Sequence, residues 1–438
     1  MMVGRLRTLS VGLVWLALFG CDSQREKQVR EVVVASPSGD LQIAVTTDDE
    51  GRLTYSVTRG GEVIVETSPM GLSSTTHDLT GGVAMSESSV RTIDESYTMR
   101  TGKRSERRVL GSEAIVPLEA ADGARAELIL RAHEDGVAFR YRLLGDGESE
   151  VTSESTGFAI PDGARVLTRA HEGGDLVFVP TTGEYQQPPI LSAPSIVEDP
   201  SWISPGRAAW SWFSQETGTP ELQSEYIDFA AEYGWDYVVI DAKWDQWDDA
   251  EQQVRDLVAR AATAGVKLLL WNNSGGSHTP STLETPLNKM IEPDRRDEME
   301  KIASWCIAGV KVDFFNSDKR DRINQYLCIL RDAADFELVV NFHGSTVPRG
   351  WQRTYPHLLT QEAVNGAEVY KFAAVQGAPD ALTNVHHVLL RNTVGSIDYT
   401  PRAVSSRPCS PSSSLYALAA PNGWGFHMRT PSMNGMTQ

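Results

Sequence analysis

Two features of this chain could do chemistry together: a carboxylate closing an apolar run, and a pair of glutamates on one later loop. The run is Gly309-Val310-Lys311-Val312-Asp313-Phe314-Phe315. It is short, apolar and β-branched, and it follows a stretch of helical spacing, so it reads as a buried parallel strand. An Asp at the carboxyl end of such a strand lies where α/β barrels keep their reactive groups, although an Asp there also caps helices. The glutamates are Glu362 and Glu368, in Gln361-Glu362-Ala363-Val364-Asn365-Gly366-Ala367-Glu368. Glycosidic cleavage requires two carboxylates on neighbouring strand ends. One attacks or activates water, and the other protonates the leaving oxygen. On their own residues, Glu362 and Glu368 fit that role and the capping of a loop equally well.

The elements that would position these groups begin near Arg207. Short apolar strands at Arg207–Trp212, Tyr237–Asp241, Val266–Trp271, Val310–Phe314, Leu338–Phe342 and Leu358–Thr360 alternate with helical stretches. The spacing predicts helices over Glu221–Tyr233, Asp249–Ala264, Asp297–Ala308 and Arg320–Ala334, and a seventh strand over Val388–Val394. Repeated βα units of this length imply a parallel sheet, with a (β/α)8 barrel as the leading candidate. The strand ends present Trp210 and Trp212, Asp241, Trp271 and Asn272, Asp313, Asn341 and His343, then Glu362. A packed core does not need a polar or aromatic group at every carboxyl end, whereas an active-site rim does. Lys311 lies two residues before Asp313, so both face the same side, and a nearby ammonium favours an ionised carboxylate.

Residues 32–200 read differently. Short alternating runs at Val32–Ala35, Leu41–Thr46, Leu53–Thr58, Val63–Val65, Ala126–Ala132 and Gly136–Leu143 are separated by Gly-, Asp- and Ser-rich turns, which suggests an antiparallel sandwich. No titratable cluster stands out there, and Glu154, Glu172 and Glu184 read as surface residues. The Pro-rich stretch Ile196–Gly206 joins the two parts. At the N-terminus, Arg5 and Arg7 precede a short apolar core, Val11–Phe19, and residues 1–21 read as an export signal. Leu18-Phe19-Gly20-Cys21 resembles a bacterial lipobox, with residues 22–31 as a polar tether. This predicts an exported lipoprotein, periplasmic or attached to the outer membrane, that touches membrane only through lipid on Cys21. A net charge of −18 argues against nucleic acid as a partner. The four cysteines show no metal or disulfide spacing, and Cys306 and Cys328 read as buried thiols.

From about residue 30 to Pro401 the chain resembles glycoside hydrolase family 97. The resemblance is carried by IVEDPSWISPGRAAWSWF, YIDFAAEYGWDYVVIDAKWD, GVKLLLWNN, GVKVDFF, NFHGSTVPRGWQRTYPHLLTQEAVNGAE and RNTVGSIDYTP. It implies an N-terminal β-sandwich, a (β/α)8-type barrel at residues 201–402, a small C-terminal β-domain, and an exported α-glucosidase or α-galactosidase that uses Ca2+. Retaining members carry an Asp nucleophile after the fourth strand, and inverting members place a Glu directly after the fifth-strand His. Here Asp313 stands at the nucleophile position and Gly344 follows His343. The resemblance therefore implies a retaining, α-galactosidase-like enzyme with Glu368 as acid/base and Glu362 and Glu368 at metal-ligand positions. Lys311, His343, Asp241 and Trp271 are candidates for sugar contacts, and Trp210, Trp244 and Trp271 for stacking faces. An oligosaccharide or glycoside is the expected substrate.

Two stretches depart from the family. Between Tyr141 and Ser201 no counterpart to its N-domain calcium ligand is evident. After Pro401 the resemblance stops, and the Ser/Pro-rich residues 403–438 have neither helical nor strand period. The expectation is therefore a multidomain β plus α/β chain lacking the last barrel unit and the C-terminal β-domain, with exposed edges that would oppose barrel closure. The alternatives are an inactive relic or sugar-binding lipoprotein, and an α-glucosidase of the same family. A barrel metallohydrolase is disfavoured, because the first and fifth strands lack paired His ligands.

Overall fold

A computed structural model describes residues 28–102, 104–164, 194–275, 283–317, 319–364 and 366–372, together with 385, 387–388, 391–393, 395–400, 403–404 and 428–429. The expected leader with Cys21, Glu172 and Glu184, and most of the 403–438 stretch lie outside the described residues.

The first part is built from β1 (Gln28–Val29), β2 (Glu31–Ala35), β3 (Leu41–Thr47), β4 (Leu53–Arg59), β5 (Glu62–Met70), β6 (Leu72–Ser74), β7 (Ala84–Ser86), β8 (Ser89–Thr98), β9 (Glu106–Glu119), β10 (Arg125–His133), β11 (Val137–Leu143) and β12 (Val151–Glu154). An antiparallel sheet β2-β3-β4-β5 faces a second antiparallel sheet, β1-β7-β9-β10-β11, in which β8 also pairs with β9. The alternation read from the sequence sets the inward faces. Leu41, Ile43 and Val45 of β3 are buried while their neighbours are not. They pack with Tyr55 and Val57 of β4 against Val116, Leu118, Leu128 and Leu130 of the other sheet, which makes a sandwich core. One feature here has no sequence signal: an ionic cluster around the buried Glu113. Glu113 accepts from both Arg91 and Arg131, each at 2.5 Å. Three separate strands supply the three side chains, so sequence spacing gave no signal.

The second part follows as β13 (Ala208–Trp210), α1 (Trp212–Gln215), α2 (Pro220–Glu232), β14 (Tyr237–Ile240), α3 (Ala250–Ala264), β15 (Lys267–Asn273), α4 (Arg295–Ser304), β16 (Gly309–Asp313), α5 (Arg320–Asp335), β17 (Val339–Phe342) and β18 (Leu358–Gln361). The six strands lie in sequence order, and every neighbouring pair is parallel. Local chemistry sets the helix ends. Thr219 accepts from Leu222 N ahead of Pro220, and Gly265 closes α3 in the left-handed conformation.

Strand period then divides the side chains. Val238, Ile240, Leu268, Leu270, Val310, Val312, Val340 and Phe342 face the helices and pack against Tyr226, Leu257, Ile302, Tyr326 and Ile329. Tyr237, Val239, Leu269 and Val339 form a separate interior cluster with Trp210 packed on it. Asp241, Trp271, Lys311, Asp313, Asn341 and His343 share the parity of that interior set, so the same alternation that fills the barrel delivers them to its carboxyl-end mouth.

Three expectations are corrected. Val388–Val394 is not the seventh strand: Val388 is helical and 60% exposed, and Arg391–Thr393 is a 3-10 turn. The Arg391 guanidinium is instead buried, donating to Gln361 O at 2.8 Å and to Ser396 O at 2.9 Å. The place beside β18 is taken by Ile397, which bridges Gln361 in parallel, with Asp398 N donating to Gln361 O at 3.1 Å. Cys306 is exposed, because it sits at φ 61° where the chain turns out of α4 towards β16. Trp244 belongs to the helix-side core. Its indole donates to Trp271 O at 2.9 Å and its ring meets Trp305 edge-on, so it offers no face to a sugar.

The two parts touch through Arg353. Arg353, between β17 and β18, donates to Glu95 of β8 at 2.7 Å and lies over the Tyr97 ring at 4.4 Å. No helix among the described residues is long and apolar enough to cross a membrane.

Candidate active site

Asp313 ends β16 at the centre of the mouth. Phe314 adopts φ 65°, uncommon for a bulky residue, and this turn brings its own N–H back to Asp313 Oδ1 at 2.6 Å. Trp271, on the adjacent strand, donates its indole N–H to Oδ2 at 3.1 Å. Both carboxylate oxygens are thus held, and the group is 5% exposed. Gly344 closes in from the next strand end. It has φ 51°, and a Cβ built there would stand 3.0 Å from Asp313 Oδ1 and 3.0 Å from Phe314 N. The position after His343 therefore crowds any side chain larger than glycine against Asp313, in a backbone conformation that favours glycine.

Beneath this carboxylate lies a chain of charged groups. The Lys311 ammonium, fully buried, is 2.9 Å from Asp398 Oδ2 and 2.8 Å from His343 Nδ1, and it lies 4.2 Å from the centre of the Trp210 ring. Asp398 Oδ2 also lies 3.0 Å from His343 Nδ1. The other nitrogen, Nε2, is 2.9 Å from Glu368 Oε1 and 3.3 Å from Glu362 Oε1. Glu362 Oε2 accepts from Gly344 N at 2.7 Å. Carboxylates face both ring nitrogens, so the ring is best served by a proton on each. Burial alone would lower the His343 pKa, but Glu362, Asp313 and Glu368 outweigh it and hold it well above its ordinary value. Burial would likewise raise Asp398, yet Lys311 and His343 pull it far below the carboxylate range.

The two glutamates part company. Burial, with Glu368 and Asp313 nearby, pushes Glu362 well above the usual range. Burial also opposes ionisation of Glu368, but His343 and Lys311 draw it below its usual value. A proton held by the pair therefore rests on Glu362, and Glu368 is ionised against the imidazolium. Asp241 is buried at the end of β14, with Oδ1 accepting from Ala242 N at 2.8 Å. Its carboxyl is raised to about 7, chiefly by burial, with Lys311 opposing.

The structure thus gathers Asp313, Trp271, Lys311, His343, Glu362 and Glu368 into one cluster, with Asp241 buried beside it within the field of Lys311 and Asp313. Trp210 packs edge-on to His343 at 5.4 Å and is occupied by Lys311. Trp212 opens α1, and Lys371 lies over its ring at 3.9 Å. Asn272 faces the helix side of β15 rather than the mouth. Asp398 is the member that sequence reasoning missed. It follows Ile397 at the carboxyl end of the seventh barrel position, and the signal was available in Ser396-Ile397-Asp398-Tyr399 once Ile397 rather than Val388–Val394 is taken as the strand.

Parallel strands in sequence order, with a clasped carboxylate and a buried glutamate at their carboxyl ends, are the arrangement that glycoside hydrolases on barrel scaffolds use. Comparison with known proteins narrows this. Residues 202–364 match the family described as Glycoside hydrolase 97, and residues 34–195 match Glycosyl-hydrolase 97 N-terminal. The chain belongs to glycoside hydrolase family 97. It is 30% identical to a "Probable retaining alpha-galactosidase" of Streptomyces bingchenggensis, over 84% of this chain and 69% of that protein. It is also 30% identical to a "Retaining alpha-galactosidase" of Bacteroides thetaiotaomicron, over 49% of this chain and 33% of that protein. Among solved structures it is similar to a beta-arabinopyranosidase, with a TM-score of 0.71 and 27% identity over 84% of this chain and 76% of that one.

Proposed function

We propose that this chain is a retaining, exo-acting α-glycosidase of α-galactosidase type, working through a covalent glycosyl-enzyme with Ca2+ support. The observation that carries the reading is the clasp on Asp313 together with the bare Gly344 against it. A carboxylate held by two N–H donors is pre-aimed as a nucleophile, and Gly344 offers no base to activate water on that side. The relatives named retaining α-galactosidases support the same choice.

In this mechanism Glu368 gives a proton to the glycosidic oxygen as an Asp313 oxygen attacks the anomeric carbon. The C–O bond to the leaving group breaks and a glycosyl ester forms on Asp313. Glu368, now ionised, takes a proton from water, whose oxygen attacks the anomeric carbon and releases Asp313. Glu368 must therefore bind its proton once substrate covers the site, and shielding of its carboxylate from water works in that direction. Asp241, Lys311 and His343 are the proposed hydroxyl contacts, and Trp271 lines the sugar site while holding Asp313. Signal and lipobox residues support export with a lipid on Cys21.

The donors His343 Nε2, Glu362 and Glu368 lie within 4.8 Å of one another. Two crowded carboxylates, one pushed to hold its proton, suit a hard divalent cation, and oxygen ligands suit Ca2+. Glu362 and Glu368 would hold it, with His343 as hydrogen-bond partner to Glu368. Bound Ca2+ would neutralise the pair and fix its orientation. Exhaustive chelation should lower the melting temperature by several degrees and reduce turnover, and Ca2+ should restore both better than Mg2+. A melting curve and rate unchanged by chelation would remove the metal.

The reading is tested with nitrophenyl α-galactoside, α-glucoside and β-L-arabinopyranoside. The last is included because it shares the ring stereochemistry of α-galactose without C6, and a 27% identical solved structure is that of a beta-arabinopyranosidase. Hydrolysis of the α-galactoside is expected to dominate, and NMR should show α-galactose as the first product. β-Galactose as the first product would rule out retention. Sugar binding without any hydrolysis would make this a binding protein.

A further inference from the structure

We propose that Asp398 is a positioning residue for the proton-transfer glutamate: through Nδ1 of His343 it fixes the imidazole whose Nε2 holds Glu368. The inference rests on the retaining reading above.

The geometry is a line of three side chains from three barrel positions. Asp398 Oδ2 lies 3.0 Å from His343 Nδ1, and His343 Nε2 lies 2.9 Å from Glu368 Oε1. An imidazole gripped at both nitrogens cannot turn about its Cβ–Cγ bond. Gripped only by Glu368, it could swing and carry that carboxylate with it. Asp398 is itself anchored twice. Its backbone N–H donates to Gln361 O at 3.1 Å, locking it to the end of β18, and the Lys311 ammonium stands 2.9 Å from the same Oδ2. Lys311 in turn shares β16 with Asp313, so Asp398 ties the strand of the nucleophile to the residue that orients the acid/base. Among the described residues, only Asp398 Oδ2 and Lys311 Nζ lie within hydrogen-bond distance of His343 Nδ1. Lys311 is a cation without an acceptor, so Asp398 alone can receive an Nδ1 proton.

A residue that acts through Glu368 matters most where the leaving oxygen needs a proton. The test therefore compares kcat/KM, which reports steps up to glycosyl-enzyme formation, on 2,4-dinitrophenyl α-galactoside and on methyl α-galactoside. The first leaves unaided, and the second needs the acid. Asp398→Asn is expected to lower kcat/KM for the methyl glycoside at least about 10-fold more than for the dinitrophenyl glycoside, with Asp398→Glu between it and the wild type. The ratio of two substrates cancels the amount of folded enzyme, so loss of stability in either variant does not imitate the effect. Equal losses on both substrates, or none on either, would mean that Asp398 only holds the fold and would overturn the inference alone. A wild type that cleaves neither galactoside would overturn the retaining-galactosidase reading itself.

Discussion

Asp313→Gly should abolish turnover, and azide should restore part of it. The loss is expected to be on the order of 10^4-fold or more in kcat, equivalent to about 5.5 kcal/mol of transition-state stabilisation. The rescue follows from what the substitution leaves behind. Removing the carboxylate opens its volume but keeps its two donors, the Trp271 indole N–H and the Phe314 backbone N–H. Two N–H groups aimed at one small buried space bind an anion, and azide fits it. Attack by azide from that space gives the β-galactosyl azide, because the acetal carbon is approached from the face opposite the leaving group. Detection of that product by NMR assigns the nucleophile. Retention of more than a few per cent of activity without azide would remove Asp313 from the role.

Much of this site was legible in the sequence because barrels convert local pattern into position. The run Val310-Lys311-Val312-Asp313 fixes both burial and parity. A buried parallel strand must alternate between barrel interior and helix layer, so Lys311 and Asp313 had to emerge together at the mouth. The same reasoning placed Asp241, Trp271 and His343. It failed at two kinds of position. Trp244 follows β14 and is a candidate stacking face by residue type, but a 3-10 turn beginning at left-handed Lys243 directs it into the helix layer, and nothing in residue type announces that turn. Asp398 was missed because the apolar run before it looked more like a strand than Ile397 does. Burial of Arg391, which donates to main-chain oxygens of β18 and of the Gly395–Ser396 turn, outcompetes the hydrophobic pattern there. Cross-strand ionic contacts such as Glu113 with Arg91 and Arg131 are invisible to spacing for a related reason. Their partners are neighbours only after register is set.

Gly344→Ala should cripple the enzyme although residue 344 contributes no side chain to the chemistry. The added methyl meets two costs. At φ 51° an L-residue is strained by roughly 1–2 kcal/mol, which destabilises the fold modestly. The larger effect is steric, since the new Cβ would lie 3.0 Å from Asp313 Oδ1 and from Phe314 N, the two atoms that form the 2.6 Å hydrogen bond aiming the proposed nucleophile. Neither neighbour yields cheaply. Phe314 N is backbone, and Asp313 is held on its other side by Trp271. A shift of a few tenths of an ångström in the attacking oxygen spoils its line to the anomeric carbon, so kcat should fall on the order of 10^2-fold while KM changes little. The melting temperature should drop by only a few degrees. A double-mutant comparison separates this from general damage. In an Asp313→Gly background measured with azide, the carboxylate is gone and only the approach to Phe314 remains, so Gly344→Ala should cost less than about 3-fold. If Gly344→Ala were fully active with Asp313 present, or equally harmful without it, the close approach of these two strand ends would not be what keeps residue 344 bare.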